Sequence, residues 1–166
     1  MDIKLTPAER LILANQYEIL GELRSDDYAK RLAENLRNGY EFLYRDVFES
    51  VSPEMDETST KFVLDTLIMY QAIENSWEDL GKPGEIKAID VEFPGFDGNN
   101  EGRFYGFACA LADDNRFTAQ LGLRGKNSHS PKASTYRRML AVWKELADQY
   151  ALTKDQIQLV LAARGY

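Results

Sequence analysis

The chain has 166 residues, of which 44% are hydrophobic and 11% aromatic, and its formal net charge is −7 at pH 7. This length and composition suffice for one hydrophobic core, so we expect a single domain over residues 1–166. The negative charge argues against a surface for nucleic acid or anionic membranes, and the sequence shows neither a signal peptide nor an apolar run near the ~20 residues of a membrane span.

Capping patterns predict two helices at the N-terminus. The sequence "TPAE" (6–9) is a capping box with proline at the first helical position, and apolar periodicity continues to about Arg24. A second helix is expected from "SD" (25–26) to Gly39, because glycine commonly ends helices. A third and shorter helix is expected over "YEFLYRDVFESV", residues 40–51.

A long helix is predicted to lie at the centre of the fold. It begins at "SPE" (52–54), ends at Gly81, and is apolar around most of its circumference between Phe62 and Trp77. Its polar line is narrow and consists of Lys61, Asp65, Asn75 and Asp79. A helix with so wide an apolar surface is usually surrounded by other elements.

The rest of the chain is predicted to alternate connections with helices. Residues 82–97 lose helical periodicity, and "IDVEF" within them suits a short strand or an extended connector. Residues 98–112 suit a helix, whereas 113–130 leave a short hairpin open. Further helices are expected from "SP" (130–131), with the serine as its cap, and from the capping box in "LTKDQ" (152–156). The predicted fold class is all-α, a multihelical single domain of six to seven helices with at most a short hairpin or extended connector.

One basic segment interrupts an otherwise acidic chain. Residues 115–144 contain seven Lys and Arg and no Asp or Glu, whereas the remaining residues include 13 basic and 27 acidic ones. The simpler interpretation is that this segment packs beside acidic helices of its own chain or of a second copy. The alternative interpretation is an anion-binding surface.

The run "FPGFDGNNEGRFYGF" (93–107) raises the question of a calcium site. From Asp97 onward it follows the first half of an EF-hand loop, but position 12, which should supply a bidentate Glu, is Ala108. A helix start is therefore favoured. In that interpretation Asp97 is the N-cap and accepts a hydrogen bond from the backbone N–H of Asn99 or Asn100.

Small and reactive residues in the second half of the chain are expected to be structural. Gly102 and Gly106 lie one helical turn apart, and close helix packing is favoured over a flat surface for a ligand. Cys109 and His129 are the only cysteine and histidine, and their spacing specifies no catalytic dyad. A lone cysteine forms no disulfide within the chain. Together with the lack of a signal peptide and of a membrane span, this indicates the cytoplasm or an equivalent reducing space. No catalytic residue, metal site or cofactor is predicted.

A candidate ligand site is sought among polar and aromatic residues placed against apolar faces, because such residues form ordinary pockets. Asn15 lies on the apolar face of the first helix, so we expect it to be buried and either bonded to a neighbouring loop or lining a polar pocket. The candidate ligand-binding residues are Asn15, Tyr70, Trp77, Arg103, Asn127 and His129.

The chain resembles the YfbU family of bacterial and archaeal proteins over essentially its whole length. The resemblance rests on "ERLILANQY" (9–17), "NGYE" (38–41), "MYQAIENSW" (69–77), "FPGFDGNNEGRFYGF" (93–107) and "YRRMLAVW" (136–143). It implies an all-helical fold and self-association, and it supplies no catalytic residues. Some relatives fuse such a domain to a helix-turn-helix segment, which suggests a ligand-sensing role.

These observations predict a cytoplasmic, homo-oligomeric and non-enzymatic module that binds a small ligand or a protein partner. An enzyme that uses carboxylates such as Asp97 and Glu101, with a metal ion, is one alternative. A purely structural assembly protein with a large apolar self-interface is another.

Overall fold

The computed structural model describes residues 4–165, and within them the prediction of an all-α fold is confirmed. The chain forms two compact units that divide between Glu54 and Met55. The prediction of a single domain stays a prediction. The described residues contain eight α-helices, slightly more than the six to seven predicted: α1 Pro7–Arg24, α2 Asp27–Asn38, α3 Glu57–Asp79, α4 Ala88–Val91, α5 Gly102–Asp113, α6 Thr118–Leu121, α7 Ala133–Lys144 and α8 Lys154–Ala162.

The first unit is built on a helical hairpin of α1 and α2. The predicted capping box of α1 is present, with the Thr6 hydroxyl accepting from the Glu9 N–H. The hairpin turns at Ser25 (φ 51°), and Asp26 caps α2 by accepting from two backbone N–H groups. Residues 40–51 form two 3-10 segments, Glu41–Leu43 and Arg45–Ser50, so the predicted third α-helix is wrong in type. The core of the first unit consists of Ala14, Leu32, Leu36 and Tyr44.

The buried side of α1 is not the side that carries Asn15. Ala14 is buried and Leu13 and Tyr17 pack against the core of this unit, whereas Asn15 is exposed. The expectation of a buried Asn15 is therefore wrong. Its Oδ1 accepts from Arg37 Nη2 at 3.1 Å, so its partner is a side chain of α2 and not a loop backbone. The physical reason is that α1 has apolar residues on two sides, and α2 covers only one of them.

The second unit is organised around α3, as predicted from its wide apolar surface. Nine of its residues are buried, and α4, α5, α6, α7 and α8 all contact it. Four aromatic rings meet beside it, with centroid separations of 5.3–5.7 Å: Tyr70, Phe93, Phe96 and Tyr136. The Tyr136 hydroxyl donates to the Gly95 carbonyl at 2.6 Å, which satisfies the polar end of this cluster.

Several predicted boundaries in the second unit are corrected. The α3 helix begins after Asp56, whose carboxylate accepts from the Ser59 N–H, and not at "SPE" (52–54). The predicted strand or connector in "IDVEF" forms the single turn α4 instead. In place of a hairpin, residues 113–130 contain the short helix α6, and the one bridge between extended segments in the described chain pairs Phe96 with Asn127.

The glycines of 95–106 have two different roles. A Cβ at Gly95 would lie 2.1 Å from the Lys126 carbonyl oxygen, and its φ of +104° also disfavours other residues, so the close approach of the two segments requires glycine. A Cβ at Gly102 or Gly106 would meet nothing within 4 Å. The prediction that these two glycines permit close helix packing is therefore wrong.

Candidate functional site

The corner formed by residues 97–101 and 127–133 is organised by one carboxylate, that of Glu101. Glu101 is 9% exposed, and its Oε1 accepts from the N–H groups of Lys132 (2.8 Å) and Ala133 (2.6 Å). Its Oε2 accepts from the Asp97 N–H at 3.0 Å. Glu101 therefore caps α7 from 31 residues away in the sequence. The prediction that the serine of "SP" (130–131) caps this helix is wrong.

Asp97 is buried and bonded as a local turn residue. Its Oδ1 accepts from the Asn99 N–H at 3.0 Å, as predicted, and its Oδ2 accepts from Asn100 Nδ2 at 2.5 Å. These bonds, first that from the Asn100 side chain and then that from the Asn99 backbone, lower the pKa of Asp97. Its predicted position as N-cap is wrong, because a turn of residues 97–101 precedes α5 and Glu101 occupies the cap position.

Two of the predicted ligand-binding residues, Asn127 and His129, join this corner. Asn127 Oδ1 accepts from the N–H groups of Gly98 (3.2 Å) and His129 (2.9 Å). His129 is exposed and adopts a left-handed backbone with φ 53°. The Asn127 oxygen thus stabilises the turn that carries the exposed His129.

The other four candidate residues lie elsewhere. Tyr70 is 1% exposed, its hydroxyl lies 3.7 Å from Met139 Sδ, and burial raises its pKa. Trp77 is buried and donates from Nε1 to the Ile86 carbonyl at 3.2 Å. Arg103 is exposed and lines a small hollow of about 270 Å³ beside the start of α5. Asn15 belongs to the first unit, and the five candidate residues of the second unit do not line one pocket.

A metal centre receives no support from the arrangement of ligating side chains. Among residues 4–165, no group of three or more His, Cys, Asp and Glu side chains is placed to hold a metal ion. The oxygens of Asp97 and Glu101 already accept hydrogen bonds from backbone and amide groups.

A groove between α3 and α7 combines charged side chains with an apolar floor. Its volume is about 510 Å³, a size typical of small-molecule sites. The Arg137 guanidinium lies over the Phe62 ring, 4.8 Å from its centroid. The lining residues are Glu57, Thr58, Lys61, Phe62, Asp65, Arg137, Leu140, Ala141 and Lys144.

The cations of the groove differ in their partners. Asp65, whose side chain is 14% exposed, lies 3.4 Å from Lys61 Nζ and 2.5 Å from Lys144 Nζ. Within the described part of the chain Arg137 pairs with no carboxylate, and its guanidinium lies over the Phe62 ring. The bond from Lys144 to Asp65 agrees with the expectation that the basic segment packs beside an acidic helix, whereas Arg137 keeps the anion-binding interpretation open.

Comparison with known proteins assigns the chain to a family. A YfbU domain model matches residues 3–163. The chain belongs to the YfbU family. It is 32% identical over 168 residues to the UPF0304 protein of Methanocaldococcus jannaschii, an alignment that covers 96% of this chain and 99% of that protein. The resemblance inferred from the sequence segments is therefore confirmed.

In this YfbU-family chain, sequence reasoning did not identify the groove between α3 and α7, although a signal was present. Lys61 and Asp65 belong to the narrow polar line of the long helix, and Arg137 borders the apolar stripe of α7. Only the packing of α3 against α7 places these residues on facing walls.

Among residues 4–165, no helix combines the length and the apolar character needed to cross a bilayer.

Proposed function

We propose that this YfbU-family protein is a cytoplasmic, non-enzymatic module that self-associates and binds a small ligand or a protein partner. One observation carries the self-association. Of the 14 large hydrophobic side chains that are exposed in the described chain, nine lie in residues 4–54 and five in the much longer remainder. Such concentrations of exposed apolar groups mark interaction surfaces.

The open side of α1 is the part of this surface that fits a second copy of the chain. Ile12, Ile19 and Leu23 follow one side of the helix and are 58%, 58% and 77% exposed. They extend over about 16 Å of helix axis, enough for a packed seam. Two copies of α1 related by a two-fold axis perpendicular to the helix run antiparallel, which brings the acidic first turn (Glu9) beside the basic last turn (Arg24).

Asn15 gains a role in this arrangement. It lies on the open side between Ile12 and Ile19, and only its oxygen is engaged, by Arg37. A polar residue in an apolar helix seam fixes the register of the pair at some cost in stability. Asn15 therefore supports a specific pairing of two copies.

The binding part of the proposal rests on the groove between α3 and α7, which offers concave shape, an apolar floor and an unpaired guanidinium. The carboxylates that an enzyme of the alternative class would use, Asp97 and Glu101, are committed to structural hydrogen bonds. This commitment favours a binding module over a carboxylate-dependent enzyme.

Native mass spectrometry on protein purified without added ligand tests self-association. We expect a mass that is an integer multiple of 19.0 kDa for the wild type and a monomer for the double variant Ile12→Asp, Ile19→Asp, because buried carboxylates oppose the seam. The matched control is Leu123→Asp, at a side chain 85% exposed in the second unit, and it should keep the oligomeric state of the wild type.

Two results would contradict the proposal. One is a monomeric wild type, and the other is an oligomer that the double variant leaves intact while far-ultraviolet circular dichroism shows unchanged helicity. Mass in excess of the oligomer that disappears on denaturation would identify a carried ligand and support the binding half of the proposal.

A further inference from the structure

The groove between α3 and α7 contains the guanidinium of Arg137, which contacts an aromatic ring but pairs with no carboxylate of the described chain. The Arg137 guanidinium lies over the Phe62 ring, 4.8 Å from its centroid, a contact that restricts the side chain. The two lysines of the groove differ, since both ammonium groups share the Asp65 carboxylate. An additional anion is therefore bound best at Arg137, whose fork of donors matches a carboxylate.

The floor next to this guanidinium is apolar. Leu140 is 5% exposed and Phe62 is half-buried, and Ala141 adds a small side chain one position along α7. A groove of about 510 Å³ with this floor accommodates an aromatic or short aliphatic body beside the charged group. Shape and charge thus favour an amphipathic anion.

The charges of the lining residues limit how many negative charges the ligand can carry. Lys61, Arg137 and Lys144 face the two carboxylates of Glu57 and Asp65. Asp65 and its two lysines together carry a net charge of +1, whereas Glu57, in the first turn of α3, adds a negative charge that repels a second anionic group on a ligand. A single negative charge therefore fits better than two.

We propose that the groove between α3 and α7 binds a small monocarboxylate with an apolar body, which pairs with Arg137 and covers Phe62 and Leu140. This inference rests on the proposed binding function and names the chemical class of its ligand. It is independent of the α1 seam, because all residues that line the groove belong to the second unit.

Equilibrium dialysis with 1-naphthoate, and with the neutral isostere 1-naphthamide, tests the proposal on the full chain. We expect 1-naphthoate to bind with a dissociation constant of about 1 mM or tighter and the amide about tenfold more weakly. Arg137→Gln should weaken naphthoate binding about tenfold and leave amide binding unchanged. Arg124→Gln, which removes an exposed cation of the same basic segment, is the matched control and should change neither.

Three results would contradict the proposal that the groove binds a monocarboxylate. Equal binding of the acid and the amide, no binding of either, or equal losses in the Arg137 and Arg124 variants would each overturn the proposal. The Ile12→Asp, Ile19→Asp variant should retain naphthoate binding, so failure of the self-association proposal and failure of this one give different patterns. Native mass spectrometry of Arg137→Gln should in turn show the same number of subunits as the wild type.

Discussion

At the scale of single residues, Glu101 joins two distant segments of the described chain through one carboxylate. Its two oxygens accept from three backbone N–H groups, those of Asp97, Lys132 and Ala133. A carboxylate is suited to this position because both oxygens accept and its charge complements the positive end of the α7 dipole. Glu101 thereby connects the start of α5 to the start of α7.

Substitution Glu101→Gln tests this role. The amide has only one accepting oxygen, so its NH2 group would face backbone donors and leave at least one of them unsatisfied. We expect the free energy of unfolding to fall by about 1–3 kcal/mol, measured by urea denaturation. Glu145→Gln, at an exposed carboxylate after α7, is the matched control and should change it little. Equal stability of the two variants would contradict the capping role.

At the scale of elements, hydrogen bonds at or near the starts of three helices lower the pKa of nearby carboxyls. Hydrogen bonds from Ser59, first from its hydroxyl and then from its N–H, lower the pKa of Asp56 at the start of α3. The Thr6 N–H and hydroxyl lower the pKa of Glu9 in the capping box of α1. The N–H groups of Tyr150 and Ala151 do the same for Asp148 in the turn before α8.

The lowered pKa values of these three carboxyls determine the direction in which stability changes on acidification. A carboxyl whose folded pKa lies below its unfolded value of about 4 contributes stability that is present above the unfolded pKa and is lost as the pH falls through the folded pKa. We expect the melting temperature to be nearly constant above about pH 5 and to fall on acidification below about pH 4. Scanning calorimetry from pH 6 to pH 2.5 measures it.

Asp56→Asn separates this effect from a general effect of acid. Asparagine still caps a helix but does not titrate, so the variant should lose less melting temperature than the wild type between pH 5 and pH 3. Asp113→Asn alters an exposed carboxylate at the end of α5 and should keep the wild-type acid response. If all three proteins lose the same melting temperature between pH 5 and pH 3, titration of the Asp56 cap does not contribute to the loss of stability in acid.

At the scale of the whole molecule, the distribution of exposed apolar side chains connects fold and proposed function. The core of the second unit is large, with more than 20 buried residues, whereas that of the first unit has four. A small core stabilises its unit weakly, so residues 4–54 gain most from burying the open side of α1 against another copy.

Self-association through α1 predicts a melting temperature that depends on protein concentration. Folded copies that bind one another are stabilised by mass action, so a hundredfold increase in concentration should raise the melting temperature of the wild type. The double variant Ile12→Asp, Ile19→Asp should lose this dependence, and Leu123→Asp should retain it. Concentration-independent melting of the wild type, measured by intrinsic fluorescence, would contradict the α1 seam.

The sequence by itself determined the features that are encoded within a few residues. The capping boxes of α1 and α8, the stop of α2 at Gly39 and the bond from the Asn99 N–H to Asp97 were predictable, since each connects residues two to four apart. The wide apolar surface of α3 predicted its central position. The family also followed from the sequence segments.

Tertiary structure decided whatever depends on which distant segments meet. Only packing decides that Glu101 rather than the nearby serine caps α7, and only packing decides which of the two apolar sides of α1 faces α2 and which leaves Asn15 exposed. The groove likewise exists because α3 and α7 lie side by side, although Asp65 and Lys144, which pair across it, are 79 residues apart in the sequence. Local sequence specifies helices and their ends through hydrogen bonds to near neighbours, whereas a site made by two helices depends on their packing.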